Sequence, residues 1–457
     1  LAVMTFLGAG MLSDISAQDF SLQADTLNEA RLPAQWDLQS CIDYALEQNI
    51  TIRKNRVTAE STQIDVKTAK AALFPSLSFS TSQQVVNRPY QETSSRVSGS
   101  EIISSNSKTS YNGNYGLNAS WTIYNGSKRL KTLKQERLNN QVAELDVATS
   151  ENTIKESIAQ IYIQILYAAE SVRVNENTLQ VSIAQRDRGQ ELLNAGSIAK
   201  SDFAQLEAQV STDRYQLVTA QATLQDYKLQ LKQLLELDGE NEMNVYLPKL
   251  SDENVLAPLP AKKDVYVSAL AIRPEIEASK LNVEASELGI DIAKSSYFPT
   301  ISLSAGIGTN HTSGSDFTFG EQVKNGWNNS IGLSVSVPIF NNRQTKSAVQ
   351  KAKLQRETDM LSLLDEQKAL YKTIESLWLD ANSAQQRYAA ANEKLRSTQI
   401  SYDLISEQFN LGMKNTVELL TEKNNLLQAQ QEQLQAKYMA ILNTQLLKFY
   451  QGDKLTL

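Results

Sequence analysis

The chain has 457 residues, with 44 Lys and Arg against 51 Asp and Glu and a net charge of −7, so it carries no basic footprint for nucleic acid. Its one histidine and one cysteine, His311 and Cys41, exclude a zinc cluster, a disulfide or a Cys–His pair within one chain. A Ser–His–Asp triad would depend on His311, which lies in the polar run Thr309-Asn-His-Thr-Ser-Gly-Ser315 and reads as a loop residue, so no enzyme is expected.

Residues 1–17 open with the apolar run LAVMTFLGAGML, and Ile-Ser-Ala precedes Gln18 in the small-residue pattern of a signal-peptidase site. The run is too short to span a membrane as a helix. It reads as a truncated signal peptide and implies export. No cysteine lies near the cleavage site; Cys41 falls in an apolar helical register and reads as a small buried hydrophobe.

Residues 34–235 form a first structural repeat. Strands are expected over about 75–87 and 113–124. In the first, Leu77, Phe79 and Thr81 alternate with Ser76, Ser78, Ser80 and Ser82; in the second, Tyr115, Leu117, Ala119 and Trp121 alternate with Gly116, Asn118, Ser120 and Thr122. Each run has the length of a tilted strand that crosses a bilayer, with one face for lipid and one for water. A long helix over about 127–194 then carries Val147, Ile154, Ile158, Ile161, Ile165, Ala168, Val172 and Leu179 on one seam. Gly196 follows where a left-handed cap is needed.

A Pro-containing connector spans 236–262, and a second repeat, 263–450, follows the same plan, with a short tail at 451–457. Ala69–Ser80 recurs as Ala293–Ser304, 224 residues later, including Phe74-Pro75 as Phe298-Pro299. Gly116–Asn125 recurs as Gly332–Asn341, and Asn194-Ala-Gly196 as Asn410-Leu-Gly412, both at an offset of 216. The second pair of strands is expected over about 299–309 and 329–340, and its long helix over about 343–411, a stretch without Gly or Pro up to Leu411. Met360, Leu363, Leu370, Ile374, Leu377, Ala381, Ala384, Tyr388 and Ala391 keep a heptad seam. Gly412 ends that helix, and Leu420, Leu427, Leu434 and Ile441 mark a returning one.

The segments Asn87–Asn112 and Thr309–Asn329 join paired strands and read as outward loops. Trp121 and Trp327 suit a membrane interface, while Trp36 and Trp378 lie in helical context and read as packing residues. Gly306-Ile-Gly308-Thr is not followed by a helix, so it is no phosphate loop, and no cofactor is expected. Four membrane strands cannot close a barrel, since the smallest need about eight, and open edges in lipid leave backbone groups unsatisfied. Copies must pool their strands. A structural coiled-coil assembly of the cell envelope without transport is the alternative; it accounts for the heptads but not for the serine-alternating strands.

The twin Phe-Pro strand starts, Leu333-Ser-Val-Ser-Val-Pro-Ile-Phe340, the twin glycines and Trp36–Asn49 resemble the TolC-like outer-membrane efflux and secretion channels. The resemblance implies a mainly α fold with β: long antiparallel coiled-coil helices form an α-helical barrel in the periplasm, and four strands per chain contribute to a shared trimeric twelve-stranded β-barrel in outer-membrane lipid. It also implies a passive duct served by a periplasmic adaptor and, through it, an inner-membrane pump of RND or ABC type. Gly196 and Gly412 correspond to the adaptor-contacting tip. Glu418 corresponds to an acidic constriction ring whose mutual repulsion raises its pKa values. Thr421 stands where relatives carry a second acid, with Glu422 beside it. Lys414 corresponds to a gate latch whose partners fall at Ser201 and Asp202.

Overall fold

The computed structural model describes residues 33–90, 94–98, 101–105, 108–238, 243–248, 255–313, 315 and 317–456; the segment read as a signal peptide lies outside them. The first half runs α1 (Leu38–Gln48), α2 (Ile50–Ala71), β1 (Ser76–Asn87), β2 (Ser94–Ser98), β3 (Glu101–Ser105), β4 (Thr109–Asn125), α3 (Lys128–Asn194) and α4 (Lys200–Leu234). The second runs α5 (Lys262–Ile272), α6 (Pro274–Ser295), β5 (Thr300–Thr312), α7 (Phe319–Asn325), β6 (Asn328–Ser336), α8 (Gln344–Asn410) and α9 (Thr416–Gln451).

Helix lengths repeat between the halves. α1 and α5 have 11 residues each, α2 and α6 have 22, and α3 and α8 have 67, which makes each of the longest pair about 100 Å long. One residue separates each short helix from the next. In the first half it is Asn49, whose side chain accepts from Thr51 and Ile52 backbone N–H groups and donates to the Leu234 carbonyl at 3.1 Å. In the second half it is Arg273, followed by Pro274 at the first helical position, where proline loses no hydrogen bond. Both strand-to-helix turns place two residues in the left-handed region, Gly126 with Ser127 and Asn342 with Arg343.

The four long strands form one antiparallel sheet in the order β1-β4-β5-β6, so β4 and β5 join the halves. β1 and β6 are its edges. Leu77, Phe79, Leu117, Trp121, Ile307, Ile331, Leu333 and Val335 lie on one face and are exposed. The other face pairs Ser76 with Ser120, Ser78 with Asn118, Gly116 with Gly308 and Ser304 with Gly332. Its hydroxyls bond within the sheet: Ser76 Oγ lies 2.8 Å from Ser120 Oγ, and Ser304 Oγ donates to the Gly332 carbonyl at 3.3 Å.

Several segments differ from the sequence reading. β6 stops at Ser336, short of 340, because Pro338 has no N–H for a ladder. The loop after β1 contains the β2–β3 hairpin, and the loop after β5 contains α7, whose Thr318 and Glu321 form a capping box. His311 belongs to β5 rather than to a loop. It sits over Gly113, whose missing side chain makes room for the imidazole, and its ring lies 5.2 Å from that of Tyr111 and 5.0 Å from that of Phe319.

Among the described residues, the largest core lies where α1 and the end of α4 meet the middle of α3. Trp36, Cys41, Ile158, Tyr162, Leu231, Val245 and Leu455 pack there. Trp36 bridges in parallel to Val245, and the Tyr162 hydroxyl donates to the Tyr246 carbonyl at 2.7 Å. Burial pushes the Cys41 thiol up to about 12, so it stays a thiol and serves as packing. Trp378 donates its indole N–H to the Pro260 carbonyl at 3.0 Å, which ties the connector to α8. Among the described residues, no helix is long and apolar enough to cross a membrane.

Near the far end of α3, Gly189 lets α4 approach closely. A Cβ there would meet Leu206 Cδ1 at 2.3 Å, and Leu206 is itself buried. Gly189→Val is expected to destabilise this end by roughly 1–3 kcal/mol through overpacking. Limited proteolysis checks it, as cleavage between Leu192 and Ala199 at a lower temperature than in the parent chain.

Candidate functional site

Two helical hairpins, α3–α4 and α8–α9, end in matching turns. α3 closes with the Gly196 N–H on the Leu193 carbonyl at 3.0 Å and the Ser197 N–H on the Leu192 carbonyl at 2.8 Å. α8 closes the same way, with Gly412 on Phe409 at 2.9 Å and Met413 on Gln408 at 2.8 Å. This pattern needs a left-handed residue at the turn, and the φ angles of Gly196 and Gly412 are +73° and +74°. No side chain lies within 4 Å of where a Cβ on either glycine would sit, so both turns present bare backbone. Leu411, Met413 and Val417 are exposed around the second turn.

Beyond the second turn, Asn415 caps α9. Its side chain accepts from the Glu418 N–H at 2.9 Å, and Glu418 Oε2 accepts from the Asn415 N–H at 3.4 Å. Glu418 Oε1 also accepts from Lys414 Nζ at 2.9 Å. The Lys414 ammonium and the Asn415 N–H hold the Glu418 carboxyl below the usual glutamate range. Within one chain, then, the local environment acts opposite to the self-repulsion expected of a ring of carboxylates.

The structure does not join Lys414 to Asp202 or Ser201 within the chain. Asp202 accepts instead from the Ala199 N–H at 3.3 Å at the start of α4, and Ser201 is exposed. Lys414 is occupied by Glu418: it lies just before the Asn415 cap, and Glu418 stands in the first turn of α9, within 2.9 Å of it. The Thr421 hydroxyl donates to the Val417 carbonyl at 2.8 Å, and Glu422 accepts from Asn425 at 3.4 Å, so neither meets Glu418.

A cluster that the sequence reading did not single out lies deeper between the hairpins. Lys423 of α9 and Asp213 of α4 are 3% and 1% exposed and form an ion pair, with Ser182 of α3 bonded to both. Gln209 donates to the second Asp213 oxygen at 2.9 Å. Burial pulls the Lys423 ammonium below its usual range, and Asp213 opposes that pull. Below the pair, Leu206, Phe409 and Leu419 pack with Leu192, Tyr402 and Ile405, and Gln185 donates to the Tyr402 hydroxyl at 2.8 Å. The signal for the pair was present: Leu206, Val210 and Asp213 continue one seam, as do Leu419, Lys423 and Leu426, so each charge falls on an apolar stripe.

The family model described as "Outer membrane efflux protein" matches residues 41–236 and 265–452. The chain is 26% identical over 294 residues to the outer membrane efflux protein BepC of Brucella suis, covering 64% of this chain and 61% of that protein. It is 24% identical over 341 residues to the outer membrane protein TolC of Escherichia coli, covering 72% and 66%. The chain thus spans about three fifths to two thirds of the length of these curated relatives. Its fold matches the solved structure of CusC with a TM-score of 0.77 at 19% identity, over 91% of this chain and 92% of that one. A match across nearly all of both repeats, on a chain with this sheet and these paired hairpins, means that it belongs to the outer membrane efflux protein family.

Proposed function

We propose that this chain assembles as a homotrimer into the passive exit duct of a tripartite efflux or type I secretion system. The sheets pool into a barrel in the outer membrane, and the hairpins pool into a tunnel through the periplasm. One observation carries this reading: among the described residues, the four-stranded sheet has two free edges, β1 and β6, an exposed apolar face and an opposite face of Ser, Asn and Gly. Free edges cannot persist in lipid, and closure by further copies turns the hydroxyl-lined face into a water-filled bore.

The bare turns at Gly196 and Gly412, with Leu411 and Met413 exposed beside the second, suit a periplasmic adaptor. The energy source is an inner-membrane pump of RND or ABC type joined through that adaptor. Glu418 forms the constriction at the mouth, with Thr421 and Glu422 behind it, and Lys414 passes between Glu418 and the latch partners Asp202 and Ser201 as the mouth opens and closes. Planar-bilayer recording of the purified protein tests both levels. Steady ion conductance is expected, and its absence removes the duct. Glu418→Gln is expected to lower the preference for cations several-fold and to relieve block by divalent cations, since a ring of acidic side chains sets cation selectivity. Unchanged selectivity removes the constriction assignment alone, and unchanged conductance in Lys414→Ala removes the latch.

A further inference from the structure

The fold carries one groove twice. In the first half a cavity of 320 Å³ lies between α3 and α4, walled by Tyr167, Ala168, Asn175 and Ala220, and Gln431 reaches it from α9 of the second half. In the second half a cavity of 580 Å³ lies between α8 and α9, walled by Ser383, Ala384, Ala391 and Ala436. Each of these four wall residues stands 216 positions after its counterpart, the same offset that relates Gly196 to Gly412. Among the described residues, the lining of the second groove comes from α8 and α9 alone. It lacks the visitor that the first receives.

The repeat identifies that visitor. The residue 216 positions before Gln431 is Tyr215 on α4, which is 73% exposed. One turn on, Val218 is 58% exposed, although its counterpart Leu434 is 7% exposed. Tyr215 is among the residues that line the α3/α4 groove of its own chain, yet it and Val218 stay mostly exposed on α4, where Leu434 at the matching place on α9 is buried. We propose that Tyr215 of a second copy of this chain seats in the α8/α9 groove, so that the seam between copies repeats the seam within the chain.

Size and charge fit this occupant. The second groove is the wider, with Ala390 and Ala391 where the first half has Val174 and Asn175, and its visitor is the bulkier, Tyr in place of Gln. Arg387 lines the groove where the first half has Ser171, which offers a cation to the tyrosine ring. Knob and groove lie on different hairpins, so the contact is head-to-tail, the kind that closes into a ring. The inference rests on the homotrimer proposed above.

The test uses the full chain in detergent with photoreactive p-benzoylphenylalanine in place of Tyr215, prepared as a mixture of isotopically heavy and light protein. Cross-links are expected to join position 215 of one isotope to peptides within 380–394 or 432–443 of the other. Cross-links confined to one chain, or landing elsewhere on the neighbour while the native mass remains that of a trimer, overturn the seat and leave the trimer standing. A native mass of one chain overturns both. In a second measurement, Tyr215→Ala is expected to raise the concentration for half-dissociation roughly 30-fold, as for a buried interface tyrosine, and Tyr215→Phe to leave it unchanged. An unchanged value for Tyr215→Ala also counts against the seat.

Discussion

Lys423→Met is expected to lower the unfolding free energy by about 3–5 kcal/mol, the scale for removing one member of a buried ion pair. The substitution leaves the Asp213 carboxylate enclosed by α3, α4 and α9, with only Gln209 and Ser182 to bond it. The loss arises from an uncompensated buried charge and not from the net strength of the pair, so removing both charges is expected to restore stability. The double variant Lys423→Met with Asp213→Leu is expected to lie near the parent or above it, because well-packed apolar substitutes often match a buried pair. Urea unfolding followed by circular dichroism checks both. A single variant that loses less than about 1 kcal/mol, the range of an exposed pair, would show that water reaches Lys423.

The place of this pair bears on the proposed gate. Lys423 lies only five residues beyond Glu418 on α9, and Asp213 lies eleven beyond Asp202 on α4. The buried pair therefore fixes one hairpin to the other just behind the mouth. On the proposed gate, movement that widens the mouth is therefore expected only in the turns and the helical ends beyond Leu206, Phe409 and Leu419. The half-buried Lys414–Glu418 pair, in contrast, remains open to solvent on one side, contributes little to stability and is expected to exchange partners at small cost.

Much of the architecture was legible because it depends on local rules repeated twice. Serine alternation at Ser76–Ser82 and Ser302–Ser304 marks β1 and β5, since side chains on a strand alternate between its faces. The seam from Leu370 to Ala391 marks α8, where Leu370, Ile374, Ala381, Ala384, Tyr388 and Ala391 are buried. The β4–β5 pairing was not legible, because strands nearly two hundred residues apart leave no local trace of their register. α7 was legible and overlooked: Thr318 and Glu321 have capping-box spacing. Lys423 and Asp213 escaped the repeat comparison for a definite reason. Their counterparts are Glu207 and Ala429, so the pair belongs to one half only and has no echo.

Arg273→Met is expected to cost about as much as Lys423→Met, about 3–5 kcal/mol, by the same rule for buried charges. Arg273 takes the position that Asn49 holds in the first half, but reaches further. It is 5% exposed; its Nη2 donates to Glu156 Oε1 on α3 at 2.6 Å, and its Nε lies 3.5 Å from Glu275 Oε1. Its guanidinium covers the Tyr450 ring at 3.7 Å and the Phe449 ring at 5.2 Å. One side chain thus fastens the α5–α6 junction and the end of α9 to the first half. Arg273→Lys keeps the charge but loses the flat face that stacks on Tyr450 and the fork that meets two carboxylates. Its expected loss is about 2 kcal/mol, the value of a desolvated cation–π contact. Hydrogen exchange gives a second readout that a general loss of stability would not produce. In both variants faster exchange is expected first at Leu447–Gln451 and Ile272–Ile276, while the amides near Leu419 keep their protection. If exchange rises evenly along α9, Arg273 is not the local fastening, and the hold on that helix end must come from the buried Leu447 and its apolar neighbours Val265 and Ile276.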